Sequence, residues 1–291
     1  MSLQFRAEAA LASGVLWLLG RLSPVSASNL GGVVGRSLGP LLPVSRLADA
    51  NLRLALPSLN DVARRDIIRG VWDNLGRTVG EMPHINRLNI EIIGAEIGRA
   101  VAAGGRPTIA ISAHFGNWEI LPRIAAEFGV VLGTFYRPAS NPLVDQVIQQ
   151  IRHNAVPQAR YFAKGAKGAR EGTAMLRAGG VVGMLIDQKL NDGIAVPFFG
   201  HAAMTTRAPA ALALHFNADL IGIRTERVGP ARLRVTIETI VKPPATDNRD
   251  ADVLALTIAL SARLESWIRA RPQDWLWLHR RWPSASIARL T

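Results

Sequence analysis

The stretch PTIAISAHFGNWEIL, residues 107–121, constrains the fold more than any other part of the chain. Ile109 and Ile111 lie in a short apolar run with Gly104, Gly105 and Pro107 before it and Gly116 after it. That is the pattern of a buried strand running into a turn. The run stops at His114, and a second apolar segment begins after Glu119. His114 is therefore expected at the C-terminal end of a strand, where open α/β sheets place their ligand crevice.

The pattern recurs downstream. VVLGTF (130–135) reads as a second buried strand and delivers Tyr136, Arg137 and Pro138 at its end, while VVGMLI (181–186) reads as a third and ends in Asp187, Gln188 and Lys189. Between them lie helical segments, one past Arg123 to Phe128 with Pro122 near its first turn, and one from Asn141 to His153 that places Arg152 near its end. A strand at Leu220–Arg224, an alternating strand at 233–240 and an amphipathic helix at 251–270 follow. Alternation of helix and strand from residue 107 onward predicts the α/β class, with a mixed, largely parallel sheet flanked by helices.

Other segments are read less sharply. KGAKGAR (164–170) lacks the Walker A spacing and suits either a mobile solvated loop or an anion-binding one. VPFFG (196–200) is expected to be a loop, and MTTRAP (204–209) a helix start with Thr205 or Thr206 as N-cap. Residues 44–88 read as helical scaffold, in which Asn74 and Glu81 suit packing or surface roles better than a functional one.

The N-terminal 22 residues hold an uncharged stretch from Ala9 to Gly20. It is shorter than the roughly 20 apolar residues that cross a bilayer, and suits a helix lying in the membrane interface. A signal peptide fits less well, for want of a strongly basic leading region; an ordinary core helix is the third reading. Residues 29–43 alternate glycine with aliphatic residues and suggest a second short helix, or a close-packed hairpin, against the first. Residues 1–45 are thus expected to be a membrane-associating helical segment and residues 46–291 one catalytic domain.

Composition narrows the partners. A formal charge of +12 calls for something negative: anionic lipid, an acidic carrier protein or nucleic acid. Nucleic acid is set aside, because the chain has no cysteines for a zinc finger and no basic motif of the RNA-binding kind. The absence of cysteine also excludes disulfides, thiolate nucleophiles and cysteine-ligated metals. Near the C-terminus Trp275, Trp277 and Trp282 interleave with His279, Arg280 and Arg281. Such a tail suits an anionic membrane interface or a lipid phosphate, or else a packed terminal strand with a solvated basic end.

His114 and Glu119 share one short loop. On a regular helix five steps of about 100° would leave them about 140° apart, so only a loop or a helix entry brings them together. A carboxylate on one imidazole nitrogen fixes the tautomer and stabilises the imidazolium. This is the logic of the serine-protease triad without its serine, and a substrate hydroxyl can then be the nucleophile. The bland alternatives are a structural histidine, a glutamate favouring a helix N-terminus and Trp118 as core. No HExxH or comparable ligand spacing points to a metal.

Six elements occur in order: HFGNWE (114–119), YRP followed by NPLVD (136–145), Arg152, a strand ending in DQ (187–188), VPFFG (196–200) with its following threonines, and WLWLHRRW (275–282). Together they resemble the bacterial lipid A biosynthesis lauroyl/myristoyl acyltransferase family, within the wider lysophospholipid acyltransferase superfamily. The likeness covers nearly the full length, including NLR near residue 51.

The resemblance implies an enzyme at the cytoplasmic face of the inner membrane that needs no cofactor. It would move a fatty acyl chain from acyl carrier protein, or acyl-CoA, to a hydroxyl of an anionic lipid A precursor. His114 matches the family's catalytic histidine and Glu119 its acidic partner; Arg152 and Asp187 fall where the family pattern has an arginine and an aspartate. Arg137 is expected to meet phosphate and Asp187 to position an arginine. Backbone N–H groups around Gly116, or the Arg152 guanidinium, are the expected oxyanion donors. Rival readings are transfer to another glycolipid or an amino-acid lipid, lipid hydrolysis, and a noncatalytic protein whose Trp-rich tail binds anionic lipid.

Overall fold

The computed structural model describes residues 2–283. Four helices open the chain: α1 (Leu3–Arg21), α2 (Pro24–Leu38), α3 (Val44–Ala55) and α4 (Asp61–Glu81). Strands and helices then alternate as β1 (Asn89–Ile93), α5 (Ala95–Gly104), β2 (Thr108–Ser112), α6 (Leu121–Glu127), β3 (Leu132–Tyr136), α7 (Pro142–Ala155), β4 (Arg160–Ala163), α8 (Ala166–Arg177) and β5 (Val181–Leu185). A two-stranded hairpin of β6 (Ile194–Phe198) and β7 (His201–Thr205) precedes α9 (Ala208–His215), β8 (Asp219–Gly229), β9 (Arg232–Thr239) and α10 (Arg249–Ala270).

The main sheet has seven strands in the order β1-β9-β8-β2-β5-β3-β4. Every neighbouring pair is parallel except β8 with β9. The expected mixed, largely parallel sheet is therefore present. β2 sits at its centre and all five of its residues are buried, which is why its sequence is a near-continuous apolar run. Ile109 and Ile111 face a core completed by α9, α10 and the C-terminal aromatics, whereas Ala110 faces a second core with Ile120, Ile124 and Ile221. Both faces are covered, as a parallel sheet requires.

Several local readings change. β1 and β4 are strands that the periodicity did not single out. KGAKGAR is not a loop: from Ala166 it is the first turn of α8. VPFFG belongs to the β6–β7 hairpin, and its Phe199 and Gly200 make the turn with positive φ. Thr205 is the last residue of β7, and α9 starts at Ala208 without a side-chain cap on its N-cap residue Arg207.

The glycine-rich segment after residue 29 is helical, but it packs on α4, while α1 lies against α7. A Cβ on Gly31 or Gly35 would collide with the carbonyl of Gly76 or Trp72, so close approach of α2 to α4 accounts for the glycines. The two N-terminal helices leave large apolar side chains in solvent, among them Leu11 and Trp17 on α1 and Leu30, Val34 and Leu38 on α2, followed by Leu41. No helix among the described residues is long and apolar enough to cross a membrane.

The basic aromatic tail is the largest departure. Trp275, Trp277 and Trp282 are 1%, 0% and 1% exposed, and Arg281 is 1% exposed. Phe198 and Phe199 of the hairpin pack against the three indoles. Arg281 donates to the Met204 carbonyl and the Thr205 hydroxyl, and burial pushes its guanidinium down to about 10. These side chains form a wall of the core and do not face a membrane; residues 284–291 of the tail lie outside the described chain.

Candidate active site

β2 and β5 are parallel neighbours, and their last paired residues are Ser112 and Leu185. Two residues further along each strand stand His114 and Asp187. The register thus brings a base and a carboxylate together at the C-terminal edge of the sheet, from positions far apart in sequence. His114 Nδ1 lies 3.0 Å from Asp187 Oδ1, and the His114 backbone N–H donates to Oδ2 at 3.0 Å. The Trp275 indole N–H donates to the same Oδ2 at 2.8 Å. Behind the carboxylate, His279 Nε2 meets the Asp187 backbone carbonyl at 3.3 Å.

The expected pairing of His114 with Glu119 is corrected here. The carboxylate hydrogen-bonded to the imidazole belongs to Asp187. Glu119 leaves the loop in a single 3-10 turn (Trp118–Ile120) and meets Arg152 of α7 in a bidentate pair, Nε to Oε2 at 2.8 Å and Nη2 to Oε1 at 2.7 Å. Asp187, expected to hold an arginine, holds the histidine, and the arginine goes to Glu119. Fork geometry favours that exchange, since a guanidinium binds a carboxylate best through two parallel bonds.

Electrostatics follow the geometry. Burial alone would push the fully buried Asp187 carboxyl up, but the charge and hydrogen bond of His114, together with His279 and the Trp275 donor, outweigh it. The carboxyl is held well below the usual carboxylate range. Burial likewise pushes the His114 imidazole down, and the charge and hydrogen bond of Asp187, with the charge of Glu119 behind them, raise it above its ordinary value. An ionised Asp187 can only accept, so the proton of neutral His114 sits on Nδ1 and Nε2 carries the lone pair.

The loop that carries the imidazole is held on every side. Gly116 takes φ +57°, and a Cβ there would strike the Thr225 carbonyl. Its N–H donates to the Asp274 carbonyl at 2.8 Å, and its own carbonyl accepts from Asn74 at 2.9 Å. The His114 carbonyl accepts from the Leu276 N–H at 3.0 Å. The Asn117 amide donates to Glu81 at 2.8 Å, and its oxygen accepts from the Glu119 N–H at 3.2 Å. Glu81 is fully buried and also takes Ser28, Arg227 and the Ala231 N–H. The N–H of Gly116, one of the expected oxyanion donors, is thus already engaged.

His114, Glu119, Arg137 and Arg152 all line one cavity of about 800 Å³; Asp187 lies behind His114 and outside that lining. The size falls within the range of small-molecule sites. Its inner part is apolar, with Phe135, Met184, Ile186 and Leu212, while its rim carries Arg137, Lys164 and Lys189, all exposed. Arg152 sits beneath Tyr136 and Tyr161, with ring centroids 5.9 and 5.4 Å away, and burial, the first cause, pushes the Tyr161 phenol up to about 12. Lys164, Lys189 and Trp275 are site residues that local patterning does not single out individually: Lys164 has a signal only in the basic KGAKGAR run, and Trp275 is equally at home in a lipid-facing or a packed tail.

Comparison with known proteins gives the site its setting. The chain is 27% identical over 288 residues to a lipid A biosynthesis lauroyltransferase of Escherichia coli (strain K12), covering 93% of this chain and 90% of that protein. Residues 4–284 match the family described as bacterial lipid A biosynthesis acyltransferase. With a match over nearly its whole length, the chain belongs to the bacterial lipid A biosynthesis acyltransferase family and is an acyltransferase.

Proposed function

We propose that this enzyme moves a fatty acyl chain from the thioester of acyl carrier protein to a hydroxyl of a lipid A precursor, with His114 as general base. The observation that carries the reading is the His114–Asp187 pair, whose imidazole Nε2 faces a cavity apolar inside and basic at its rim. The hydroxyl donates to Nε2 and attacks the thioester carbonyl as its proton passes to the imidazole. Asp187 keeps the tautomer and stabilises the imidazolium, as the buried aspartate does in serine-protease triads. The acyl chain lies along Phe135, Met184 and Leu212, and the acceptor's phosphates meet Arg137. Glu119 fixes Arg152 at the cavity wall, so that both serve substrate placement. Addition of the hydroxyl and loss of the thiolate at the same carbon make a single displacement, which needs no acyl-enzyme.

The exposed apolar faces of α1 and α2 support docking of residues 1–45 on the membrane. Large exposed apolar side chains grouped on neighbouring helices suit an interaction surface, and a helix can lie in the headgroup layer without spanning. A formal charge of +12 favours the anionic cytoplasmic leaflet. Transfer to a different glycolipid is the second reading, favoured by the solvent-facing rim cations, which would suit any phosphorylated or acidic head group.

The direct test is His114→Ala assayed with acyl-carrier-protein thioester and a lipid A precursor, and mass spectrometry of cellular glycolipids with and without active protein. General bases contribute about 10²–10⁴ in rate. A loss of that size is expected, with one acyl chain missing from the glycolipid; near-normal turnover would overturn the mechanism.

A further inference from the structure

An acyl transfer through a tetrahedral intermediate needs donors aimed at the oxygen that gains charge. The loop beside His114 has few left. The His114 N–H is bound to Asp187, the Phe115 N–H to the Ala113 carbonyl and the Gly116 N–H to the Asp274 carbonyl. Arg152 has committed Nε and Nη2 to Glu119. Next to the reacting nitrogen stands another polar group, the side-chain amide of Gln188, whose Nε2 lies 3.4 Å from His114 Nε2. Gln188 is exposed, lines the cavity and directly follows Asp187 on the β5 edge.

Resting on the general-base reading of His114, we infer that Gln188 is a further catalytic residue, whose amide N–H binds the oxyanion of the acyl-thioester intermediate. The orientation of the amide follows from the imidazole. Because Asp187 holds the proton on Nδ1, Nε2 is an acceptor, and only the NH₂ end of Gln188 can face it. At 3.4 Å the contact is long for an N–H donor, as catalytic bonds often are before substrate binds. When the acceptor hydroxyl donates to Nε2, it takes over the lone pair that Gln188 was using. The freed N–H then finds its next acceptor in the thioester carbonyl, held a few bonds away by the same hydroxyl.

The hydroxyl oxygen forms a bond to the thioester carbon, its proton moves to His114 Nε2, and the carbonyl π pair becomes the oxyanion that Gln188 binds. On collapse the pair returns to the carbonyl, the carbon–sulfur bond breaks, and the leaving thiolate takes the proton back from Nε2. Once the imidazole is protonated, its Nε2–H repels the amide donor, which favours the oxyanion as partner through the life of the intermediate.

The test uses the full-length enzyme with acyl-carrier-protein thioester and a lipid A precursor, comparing Gln188→Ala and Gln188→Glu with His114→Ala. Gln188→Ala should lower kcat by about 10²–10³, the effect of removing one oxyanion donor, with KM and melting temperature little changed because the side chain is exposed. Gln188→Glu keeps the size but loses the donor; kcat should fall comparably, and its charge should move the acid limb of the kcat/KM profile to higher pH. A Gln188→Ala enzyme with wild-type kcat, or with only KM raised, would overturn the assignment while leaving His114 as base. If instead His114→Ala keeps full activity, the reading beneath it fails first, so the two failures are distinguishable.

Discussion

Replacing Asp187 by asparagine alters one atom and should cost most of the activity. The carboxylate accepts three N–H groups, two of them at Oδ2, where the His114 backbone and the Trp275 indole are donors that cannot reverse. Asparagine has a single oxygen, and placing it at the Oδ2 position satisfies both. Its NH₂ then faces His114 Nδ1, and that contact is a hydrogen bond only if Nδ1 has given up its proton. The proton moves to Nε2, the nitrogen that faces the cavity, and the base is lost. The same swap in the serine-protease triad lowers kcat by about 10⁴, and we expect about 10³–10⁴ here, or about 4–5.5 kcal/mol in the transition state. The fold should survive, losing about 1–3 kcal/mol with a charged acceptor replaced by a neutral one.

The pH profile supplies a second readout. His114 must be neutral to act, so activity disappears as pH falls through its raised value. In Asp187→Asn the main cause of that rise is gone while burial stays, so the acid limb should move to lower pH, by more than in Glu119→Gln. The assay is kcat/KM against pH with matched melting curves. Plateau turnover within about tenfold of wild type, below the smallest contribution expected of a general base, would refute the Asp187 role. A larger loss and limb shift in Glu119→Gln would return the orienting role to Glu119.

Other outcomes follow from particular contacts. Gly116→Ala should destabilise by about 2 kcal/mol or more, since positive φ and the Thr225 carbonyl both oppose a Cβ; a melting curve like wild type would contradict the tight turn. Glu81→Ala strands the buried Arg227 without its carboxylate and should cost about 3–5 kcal/mol, read by urea unfolding; a loss under 1 kcal/mol would show that the network relaxes. The raised His114 value means a stabilising contribution that is full below about pH 6.5 and lost as pH rises through the folded value. The stability gap between wild type and His114→Ala should therefore narrow on going from pH 6 to pH 9, and a gap that widens would reverse the sign of that coupling.

The central strand was legible because burial on both faces leaves an unbroken apolar run, and His114 at its end follows from the same pattern. The partner of His114 was not legible. Glu119 was the nearest carboxylate in sequence, but β2 and β5 are sheet neighbours, and nothing in local periodicity records strand order. Only the Ser112–Leu185 register places Asp187 opposite. The aromatic tail misled for a related reason. Tryptophan beside arginine suits a membrane interface, yet it also suits a core wall when the indole N–H groups have acceptors, and here they find Asp187, Pro272 and Phe198. KGAKGAR misled because one of its glycines serves close packing: a Cβ on Gly168 would strike the Ala163 carbonyl, whereas Gly165 takes a positive φ ahead of the helix, so Gly168 marks contact between α8 and β4 and not a loop.

The loop at 114–117 shows how remote parts of the chain converge on one short segment. β5 supplies Asp187, the stretch after α10 supplies the Asp274 carbonyl and the Leu276 N–H, and α4 supplies Asn74 and Glu81. The Asn117 NH₂ donates to the Glu81 carboxylate, and that fixes which way the amide turns. The Asn117 oxygen is then left to hold the Glu119 N–H, and Glu119 in turn holds Arg152. Ser28 of α2 binds the same Glu81 carboxylate, so α2, one of the two helices with exposed apolar side chains, is tied to the His114 loop by two hydrogen bonds in series. Preorganisation of this kind avoids reorganisation during reaction, but it occupies the His114, Phe115 and Gly116 N–H groups, which would otherwise be free to meet an oxyanion. A loop held this firmly leaves the chemistry to side chains, and the side-chain donor nearest the His114 lone pair is Gln188.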